Sequence, residues 1–329
     1  MKNRLGLAMM FIVTTAVFSI FSGVSDGAFN IALSLLIAVS QGAVALVAAV
    51  DIAGGKWVSP LKKRLFAFCP MILMSCVLFP LMWRQFNPDY VAPNAWLDKE
   101  FLIARNTLSL FLTFIVARKF AVESLKESPV KNIYAVLYLM FFMMSQTMSA
   151  IDLVMRLEYP WASTLFGGYF AVEAVYAGLA VAGINCFFAS KKEPDSIEVK
   201  SAMRDTALMI FGFSLLWAGL MYSQYLVIWY GNLPEETRFL TDRMSVTPVK
   251  ELACAVLFAL FVIPFIALIS RRMKTNRFAV AGASILILAG ILAERIFFVA
   301  PVLRVNWAVL AVELAVLAVL FSMIVLKKD

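Results

Sequence analysis

Ten apolar stretches of about 20 residues, separated by short polar segments, constrain the fold of this chain more than any other feature. A helix rises about 1.5 Å per residue, so about 20 apolar residues cross roughly 30 Å of hydrocarbon. The chain is 62% hydrophobic and 15% charged, whereas soluble domains are about 45–50% apolar and about 25% charged. The sequence therefore predicts an all-α polytopic membrane protein with ten transmembrane helices. The predicted spans are Leu5–Val24, Ala28–Val50, Leu65–Trp83, Phe101–Ala117, Asn132–Val154, Ala162–Phe188, Thr206–Trp229, Glu251–Ser270, Phe278–Val299 and Asn306–Leu326.

Lysine and arginine alternate strongly between the segments that connect these spans. The two termini and every second loop carry 20 of the 29 basic residues, and the other loops carry 7. Because basic loops stay in the cytoplasm, we expect both termini on the cytoplasmic side of a multi-pass protein. This topology accounts for the net charge of +8. The expected partner of the chain is therefore the lipid bilayer, and no nucleic acid is needed to explain the charge.

The composition excludes several kinds of redox and catalytic centre. The chain has no histidine, which excludes bis-His haem, His-ligated zinc or copper, and histidine acid–base catalysis. Its four cysteines, Cys69, Cys76, Cys186 and Cys254, lie in apolar runs without a C-x-x-C pair, and we expect them to be small buried hydrophobes. No metal ligand set is predicted, so any redox role needs a diffusible cofactor or centres in another subunit.

Charged side chains inside the predicted spans are the main functional candidates, since each costs about 2.5–3.5 kcal/mol at the membrane centre. Glu173 is predicted near mid-membrane, where it needs a proton, a partner or water. Asp152 follows a polar run on the fifth span, and we favour a functional role for it. Four others lie within about two turns of the outer helix ends: Arg105, Glu294, Arg295 and Glu313.

Structural alternatives remain for several of these charges. Arg105 is close enough to the outer headgroups to snorkel to them. Glu294 and Arg295 lie about 100° apart on a helix, so one could face a neighbouring helix while the other reaches the interface. Aromatic residues at the predicted outer boundary likewise fit either a membrane-interface belt or a docking surface for an extracytoplasmic partner. They are Trp83, Tyr90, Trp96, Tyr159, Trp161, Trp229, Tyr230 and Trp307.

A polar cluster in the outer half of the membrane suits either a quinol site with a proton path or the substrate site of a secondary transporter. Transporters place their sites near the midplane on interrupted helices. Pro70, Pro80 and Pro264 lie nearer the ends of their spans, so no interruption near the middle of a span is predicted. This pattern favours the quinol and proton-path interpretation.

Three segments then carry a family resemblance. They are residues 55–64 (GKWVSPLKKR), 150–167 (AIDLVMRLEYPWASTLFG) and 222–239 (YSQYLVIWYGNLPEETRF). Together they resemble the ActF-type, NrfD-like membrane subunits of alternative complex III, a bacterial quinol:cytochrome c oxidoreductase, which are labelled quinone-binding subunit 2. The motif S-Q-Y-x-x-I-W-Y-x-N-x-P-E-E-T is the most specific part. The motif residues singled out are Ser163, Thr164, Gln224, Tyr225, Trp229, Tyr230, Asn232, Glu235 and Glu236.

The resemblance implies an architecture and a set of partners. Helices two to five (28–155) would form one four-helix bundle and helices six to nine (162–299) another, with helices one and ten peripheral. The expected partners are an extracytoplasmic iron–sulfur subunit, multihaem and monohaem cytochromes c, and a sister NrfD-like quinol-binding subunit in the bacterial cytoplasmic (inner) membrane. Menaquinone or another quinone is the expected cofactor of the complex rather than of this chain alone.

The resemblance also assigns roles. Asp152 matches the acidic residue of the D-x-V-M-x-L-E motif and is the leading candidate for a proton path. Ala162 stands where the sister subunit has a histidine, so quinol oxidation is not expected at this chain, which would be a non-autonomous subunit. Two alternatives from other classes are a stand-alone proton-coupled transporter and a structural anchor whose charges pair internally.

Overall fold

The chain is all helical over the residues that the computed structural model describes, 2–86 and 92–325, with side chains described from residue 9 onward; no β-strand occurs there. Within these residues nine helices are long and apolar enough to cross a membrane. This is the architecture of an all-α, multi-pass membrane protein, as the apolar stretches predict.

Eleven helices are labelled in chain order. They are α1 (Lys2–Phe21), α2 (Asp26–Ile52), α3 (Ser59–Gln85), α4 (Lys99–Leu125), α5 (Lys131–Leu153), α6 (Phe166–Lys192), α7 (Ile197–Gly231), α8 (Pro234–Met244), α9 (Val249–Ala267), α10 (Arg277–Val299) and α11 (Trp307–Val325). The nine candidate spans within the described residues are α2–α7 and α9–α11, whereas α8 is short and polar. The apolar part of α1, Met9–Phe21, is shorter than a full span.

Helix α2 lies at the centre of the molecule. Its most apolar stretch is 94% buried, because α2 packs against α3, α5, α6, α10 and α11. A Cβ on Gly42 would lie only 1.7 Å from the carbonyl oxygen of Ala174, and a Cβ on Gly178 would lie 2.2 Å from that of Gly42. Glycine therefore allows the backbones of α2 and α6 to touch, as small residues do between membrane helices.

Two groups of helices meet at this contact. In the first group, α2, α3, α4 and α5 each contact the next, and α5 returns to α2. In the second group, α6, α7, α9 and α10 do the same, and α10 returns to α6. Helix α11 packs against α2 and against α1, on the outside of both groups.

Prolines interrupt two spans. In α9 a π-helical turn, Phe258–Val262, precedes Pro264, because a proline lacks the N–H that would bond to the carbonyl four residues earlier. That carbonyl belongs to Leu260, and the hydroxyl of Tyr176 donates to it at 3.0 Å instead. In α3 the first α-helical segment ends at Phe66, four residues before Pro70. The expectation that no span is interrupted near its middle is thus wrong for α9.

An ion network gathers four helix ends at one face of the molecule, which we call the basic end. The ammonium of Lys62 lies 2.8 Å from Asp51 and 2.8 Å from Glu127, and Lys131 also binds Glu127. Hydrogen bonds from Lys131 and Lys62 lower the pKa of the Glu127 carboxyl to about 2. The network joins the ends of α2 and α4 to the beginnings of α3 and α5.

The opposite face is the aromatic end. Most of the aromatic residues predicted at the outer boundary are exposed there: Trp83, Trp96, Tyr159, Trp229, Tyr230 and Trp307. Trp161 is instead 3% exposed and packs inside the protein, so it belongs to neither a belt nor a docking surface. Tyr90, residues 326–329 and the side chains of Lys2 and Arg4 lie outside the described residues.

Candidate functional site

Four ionisable side chains meet between α6 and α10, close to the aromatic end. They are Tyr169, Glu173, Glu294 and Arg295, which we call the α6–α10 cluster. The guanidinium of Arg295 lies 2.7 Å from Glu173, and both side chains are completely buried. Helix α6 begins at Phe166, later than predicted, so Glu173 lies about two turns from its start and closer to the aromatic end than the middle of the helix.

The local sequence explains why these groups meet. Tyr169 and Glu173 are four residues apart and therefore lie on one face of α6, the face that packs against α10. Both Glu294 and Arg295 reach α6, one to Tyr169 and the other to Glu173. Neither reaches the membrane interface, because both are 0% exposed.

The cluster contains two carboxyls and only one cation. The hydroxyl of Tyr169 donates to Glu294, and the guanidinium of Arg295 binds Glu173. Two buried carboxylates against one guanidinium would leave an uncompensated negative charge, which is costly in a buried site. The geometry therefore fits a cluster that holds one extra proton.

Some polar atoms of this cluster lack hydrogen-bond partners among the described residues. They are Oε1 of Glu173, Oε2 of Glu294, and Nε and Nη1 of Arg295. The guanidinium instead stacks over the ring of Phe170, with its central carbon 3.8 Å from the ring centre. A buried polar group without a partner costs about 1–3 kcal/mol, so the carboxyl oxygens are where a transferred proton would bind and the guanidinium N–H groups are where water would bind.

An aromatic lid separates the cluster from the aromatic end. It consists of Trp161, Phe166, Phe239 and Phe298, with the rings of Trp161 and Phe239 stacked at 3.8 Å. Phe166 and Phe298 each lie within 6.4 Å of the ring of Tyr169. The lid therefore covers the tyrosine that hydrogen-bonds Glu294.

Arg243 of α8 binds the backbone of two residues of this lid. Its side chain is 1% exposed, lies 2.7 Å from Glu158, and donates to the carbonyl oxygens of Phe239 and Phe298 at 2.8 and 3.0 Å. Burial lowers the pKa of the Arg243 guanidinium, and the charge of Glu158 opposes this shift. Since an arginine stays protonated even so, the α8 helix is held to α10 by a buried cation.

A small cavity lies beneath the lid. Its volume is about 20 Å³, which is room for about one water molecule. Its walls include the polar residues Tyr169 and Gln224. Gln224 accepts a hydrogen bond from Ser163 at 2.7 Å, so polar groups continue from Tyr169 toward the aromatic end.

A second charged site, the Asp152 site, lies in the first helix group. The guanidinium of Arg105 and the amide of Asn106 bind the two carboxylate oxygens of Asp152. Arg105 also donates to the carbonyl oxygen of Trp96 and lies over its ring, 4.1 Å from the centre. Arg105 is thus engaged by Asp152 rather than snorkelling to the headgroups.

The structure separates the remaining sequence candidates. Thr164, Tyr225, Trp229, Tyr230 and Glu235 are exposed, as is Ala162. Asn232 adopts a left-handed conformation (φ 47°) that ends α7, and Glu235 and Glu236 lie in the first turn of α8, where acidic residues are favourable. Glu313 is completely buried on α11, and neither of its oxygens has a partner among the described residues.

Sequence reasoning missed several buried polar groups. Tyr169 was not predicted, although its four-residue spacing from Glu173 places the two side chains on one face of a helix. Sequence reasoning also missed a network at the centre of the first helix group, in which Gln41 donates to Ser145 and accepts from Gln146, and Tyr138 donates to the backbone of Gln41. Ser145 and Gln146 lie on the polar run that precedes Asp152.

Among the described residues, no group of three or more His, Cys, Asp or Glu side chains could hold a metal ion. Cys69, Cys76 and Cys186 are buried, as predicted. Cys254 is exposed on α9, which corrects the expectation that all four are buried; α9 has the least buried apolar stretch of the described spans.

Comparison with protein-family models gives no match to this chain, and comparison with curated proteins gives none either.

Proposed function

We propose that this chain is an integral membrane subunit of a quinol:cytochrome c oxidoreductase of the alternative complex III type, and that it provides scaffold and a proton path. The observation that carries the proton path is the α6–α10 cluster, with two carboxyls, one guanidinium and a tyrosine hydroxyl buried inside predicted spans. Ionisable groups buried in a membrane are rare and mark proton relays, ion pathways or substrate sites.

The route follows from the hydrogen bonds. The Tyr169 hydroxyl, which donates to Glu294, turns to give its proton to a water in the cavity beside Gln224 and then accepts the proton held by Glu294. This path ends at the aromatic end of the molecule, which the basic loops assign to the extracytoplasmic side. The Asp152 site is the less suitable proton carrier, because both carboxylate oxygens already accept hydrogen bonds.

The rest of the assignment rests on the three family-like segments and on the helix packing. We propose ten membrane helices in the bacterial cytoplasmic membrane, with both termini cytoplasmic. The two rings of packed helices support two four-helix bundles, with α1 and α11 peripheral. The proposed partners are an iron–sulfur subunit, multihaem and monohaem cytochromes c and a sister quinol-binding subunit, with menaquinone or another quinone bound in the complex.

Purification through a tag on this chain, in mild detergent and at native expression level, tests the assembly. We expect mass spectrometry to find a multihaem cytochrome c and an iron–sulfur protein in stoichiometric amounts. Recovery of this chain alone would refute the assignment to the complex.

Substitution in that complex tests the proton path. We expect Glu294→Gln to reduce quinol oxidation or proton release at least 10-fold while the complex still assembles. The matched control is Glu193→Gln, an exposed glutamate directly after α6, outside the cluster and the motif segments. Equal turnover of both variants would show that the α6–α10 cluster is only structural.

A stand-alone proton-coupled transporter is the second candidate, because α9 is interrupted by a π-helical turn and transporters build sites on interrupted helices. It predicts proton-driven uptake by this chain alone in proteoliposomes. The subunit hypothesis predicts none.

A further inference from the structure

The basic end of the second helix group carries a set of cations that the proposed proton path does not use. One lies in the last turn of α6, three form a short helical turn after α9, and one is the first residue of α10. We call them the cationic patch: Lys191, Arg271, Arg272, Lys274 and Arg277.

Helix packing brings these residues to one place. The rings of Phe187 and Phe278 are 5.6 Å apart, so the end of α6 meets the beginning of α10. Lys191 is four residues beyond Phe187 and therefore lies on the same face of α6. Arg277 directly precedes Phe278, so both cations belong to the contact between these two helices.

Carboxylates do not neutralise the cationic patch. None of its five cations forms an ion pair with another of the described residues. Residues 186–194 and 266–277 contain a single acidic residue, Glu193, which is exposed. At the basic end of the first helix group, by contrast, Lys62 binds two carboxylates. The second group therefore presents a positively charged surface where the first is neutralised internally.

Rings and backbone hold two of these cations in place. The ammonium of Lys274 lies 4.8 Å from the centre of the Phe211 ring and 3.5 Å from the carbonyl oxygen of Ile269. The guanidinium of Arg277 lies 5.1 Å from the centre of the Phe278 ring. An ammonium has three N–H donors and a guanidinium has five, so donors remain for an anion from outside the protein.

An exposed apolar surface adjoins the cationic patch. Ile266 and Ile269 near the end of α9 are 63% and 59% exposed, and Phe278 at the beginning of α10 is 65% exposed. These side chains lie inside predicted spans, whereas the cations lie directly outside them. A ligand that uses both surfaces needs an anionic head and a hydrocarbon tail.

From these observations we infer that the cationic patch binds the headgroup of an anionic phospholipid, with its acyl chains against Ile266, Ile269 and Phe278. Phosphate oxygens accept charge-assisted hydrogen bonds from lysine and arginine, and basic pockets between membrane helices bind anionic headgroups in this way. A zwitterionic phospholipid also carries a phosphate, but its ammonium would be repelled by cations that no carboxylate neutralises. A free phosphate ion would leave the apolar side chains unused.

Native mass spectrometry of the protein purified in mild detergent tests this inference. Equal amounts of phosphatidylglycerol and phosphatidylethanolamine with the same acyl chains are added, and the retained lipid is identified. We expect preferential retention of phosphatidylglycerol, and an about 10-fold loss of it in Lys191→Gln/Arg271→Gln, which removes two exposed cations. The measurement needs neither turnover nor partner subunits, so its outcome is independent of the proposed function.

The matched control is Lys200→Gln/Arg204→Gln, which also removes one lysine and one arginine at the basic end. Lys200 and Arg204 lie 3.5 and 3.2 Å from the aspartates that neutralise them, so retention should change by less than about 2-fold. Equal loss in both double variants, or equal retention of the two lipids by the unaltered protein, would overturn the inference. Displacement of phosphatidylglycerol by excess inorganic phosphate at constant ionic strength would also overturn it, since the patch would then be a site for a free anion.

Discussion

The Asp152 site and the α6–α10 cluster use the same kinds of side chain in different proportions. At the Asp152 site one carboxylate faces one guanidinium, and an asparagine amide binds its second oxygen. In the α6–α10 cluster two carboxyls share one guanidinium, and a tyrosine hydroxyl supplies the remaining hydrogen bond. The first site is balanced in charge without a proton, whereas the second is balanced only with one.

Burial increases this difference. The Arg105 side chain is 8% exposed and lies over Trp96 near the aromatic end, whereas Arg295 is 0% exposed. Asp152 and Glu173 are both 0% exposed, so either carboxylate is costly without its guanidinium, but only Arg105 is close enough to the surface to recruit water when it loses its carboxylate. The two sites should therefore respond differently to the same substitutions.

Loss of the cation should have the largest effect, and it should be larger in the α6–α10 cluster. We expect Arg295→Met to lower the free energy of unfolding by about 3–5 kcal/mol, because it leaves two buried carboxyls without a counterion. Arg105→Met should cost about 1–3 kcal/mol, because Asn106 still binds Asp152. Thermal or denaturant unfolding of the purified protein in detergent measures both.

The double variant Glu173→Gln/Arg295→Met is the control for this prediction. It removes one charge of each sign, and we expect it to be more stable than Arg295→Met alone. A larger loss for Arg105→Met than for Arg295→Met would reverse the comparison.

Neutralising one carboxylate should distinguish the sites next. Asp152→Asn leaves Arg105 without its carboxylate, and we expect a loss of about 2–3 kcal/mol in the free energy of unfolding. Glu294→Gln replaces a carboxyl that is expected to carry a proton, so the change should stay within about 0.5 kcal/mol. The same unfolding assay measures both, and equal losses would mean that Glu294 is charged.

The contact between the two helix groups should tolerate no added volume. We expect Gly178→Ala to cost about 1–3 kcal/mol, because its Cβ would lie 2.2 Å from the backbone oxygen of Gly42. Gly168→Ala is the matched control on the same helix, since nothing lies within 4 Å of its Cβ position. An unchanged free energy of unfolding in Gly178→Ala would show that the backbones of α2 and α6 are not in close contact.

The basic end should contribute a small acid-sensitive stability. The pKa of Glu127 falls from 4.5 to about 2 on folding, so this contribution is present above about pH 4.5 and is lost as pH falls toward 2. Since the side chain is 59% exposed, we expect only a few tenths of a kcal/mol. Glu127→Gln should lower the melting temperature slightly at pH 7 and by less at pH 2.5, and about 1 M salt should shrink the effect at pH 7.

Much of the fold could be predicted because the membrane restricts the choices. A spanning segment must satisfy its backbone hydrogen bonds internally, so long apolar runs become helices. The predicted ends differ most where a polar segment continues a helix, as in α7, which begins at Ile197 rather than at Thr206. The interruption of α9 was predictable from Pro264 alone, since a proline leaves the carbonyl four residues earlier without its partner.

The sequence predicted the charged residues of the candidate site but not the contacts between them. Charged residues inside apolar runs are visible in any sequence, and this found Glu173, Glu294, Arg295 and Asp152. Which carboxyl pairs with which guanidinium depends on helices 122 residues apart in the chain, and no local pattern encodes that separation. For the same reason nothing in the polar segment around Arg243 predicted that this side chain is buried. The only sequence signal for Tyr169 was its four-residue spacing from Glu173.

The sequence by itself determined that this is a helical membrane protein with charges kept inside its spans, because hydrophobicity and helix period are local properties. The tertiary structure alone decided that Arg295 neutralises Glu173, that Glu294 turns to Tyr169, and that Glu313 faces no polar partner among the described residues. Those outcomes depend on which helices pack together, and here that depends on a glycine contact between α2 and α6 whose two partners lie far apart in the chain.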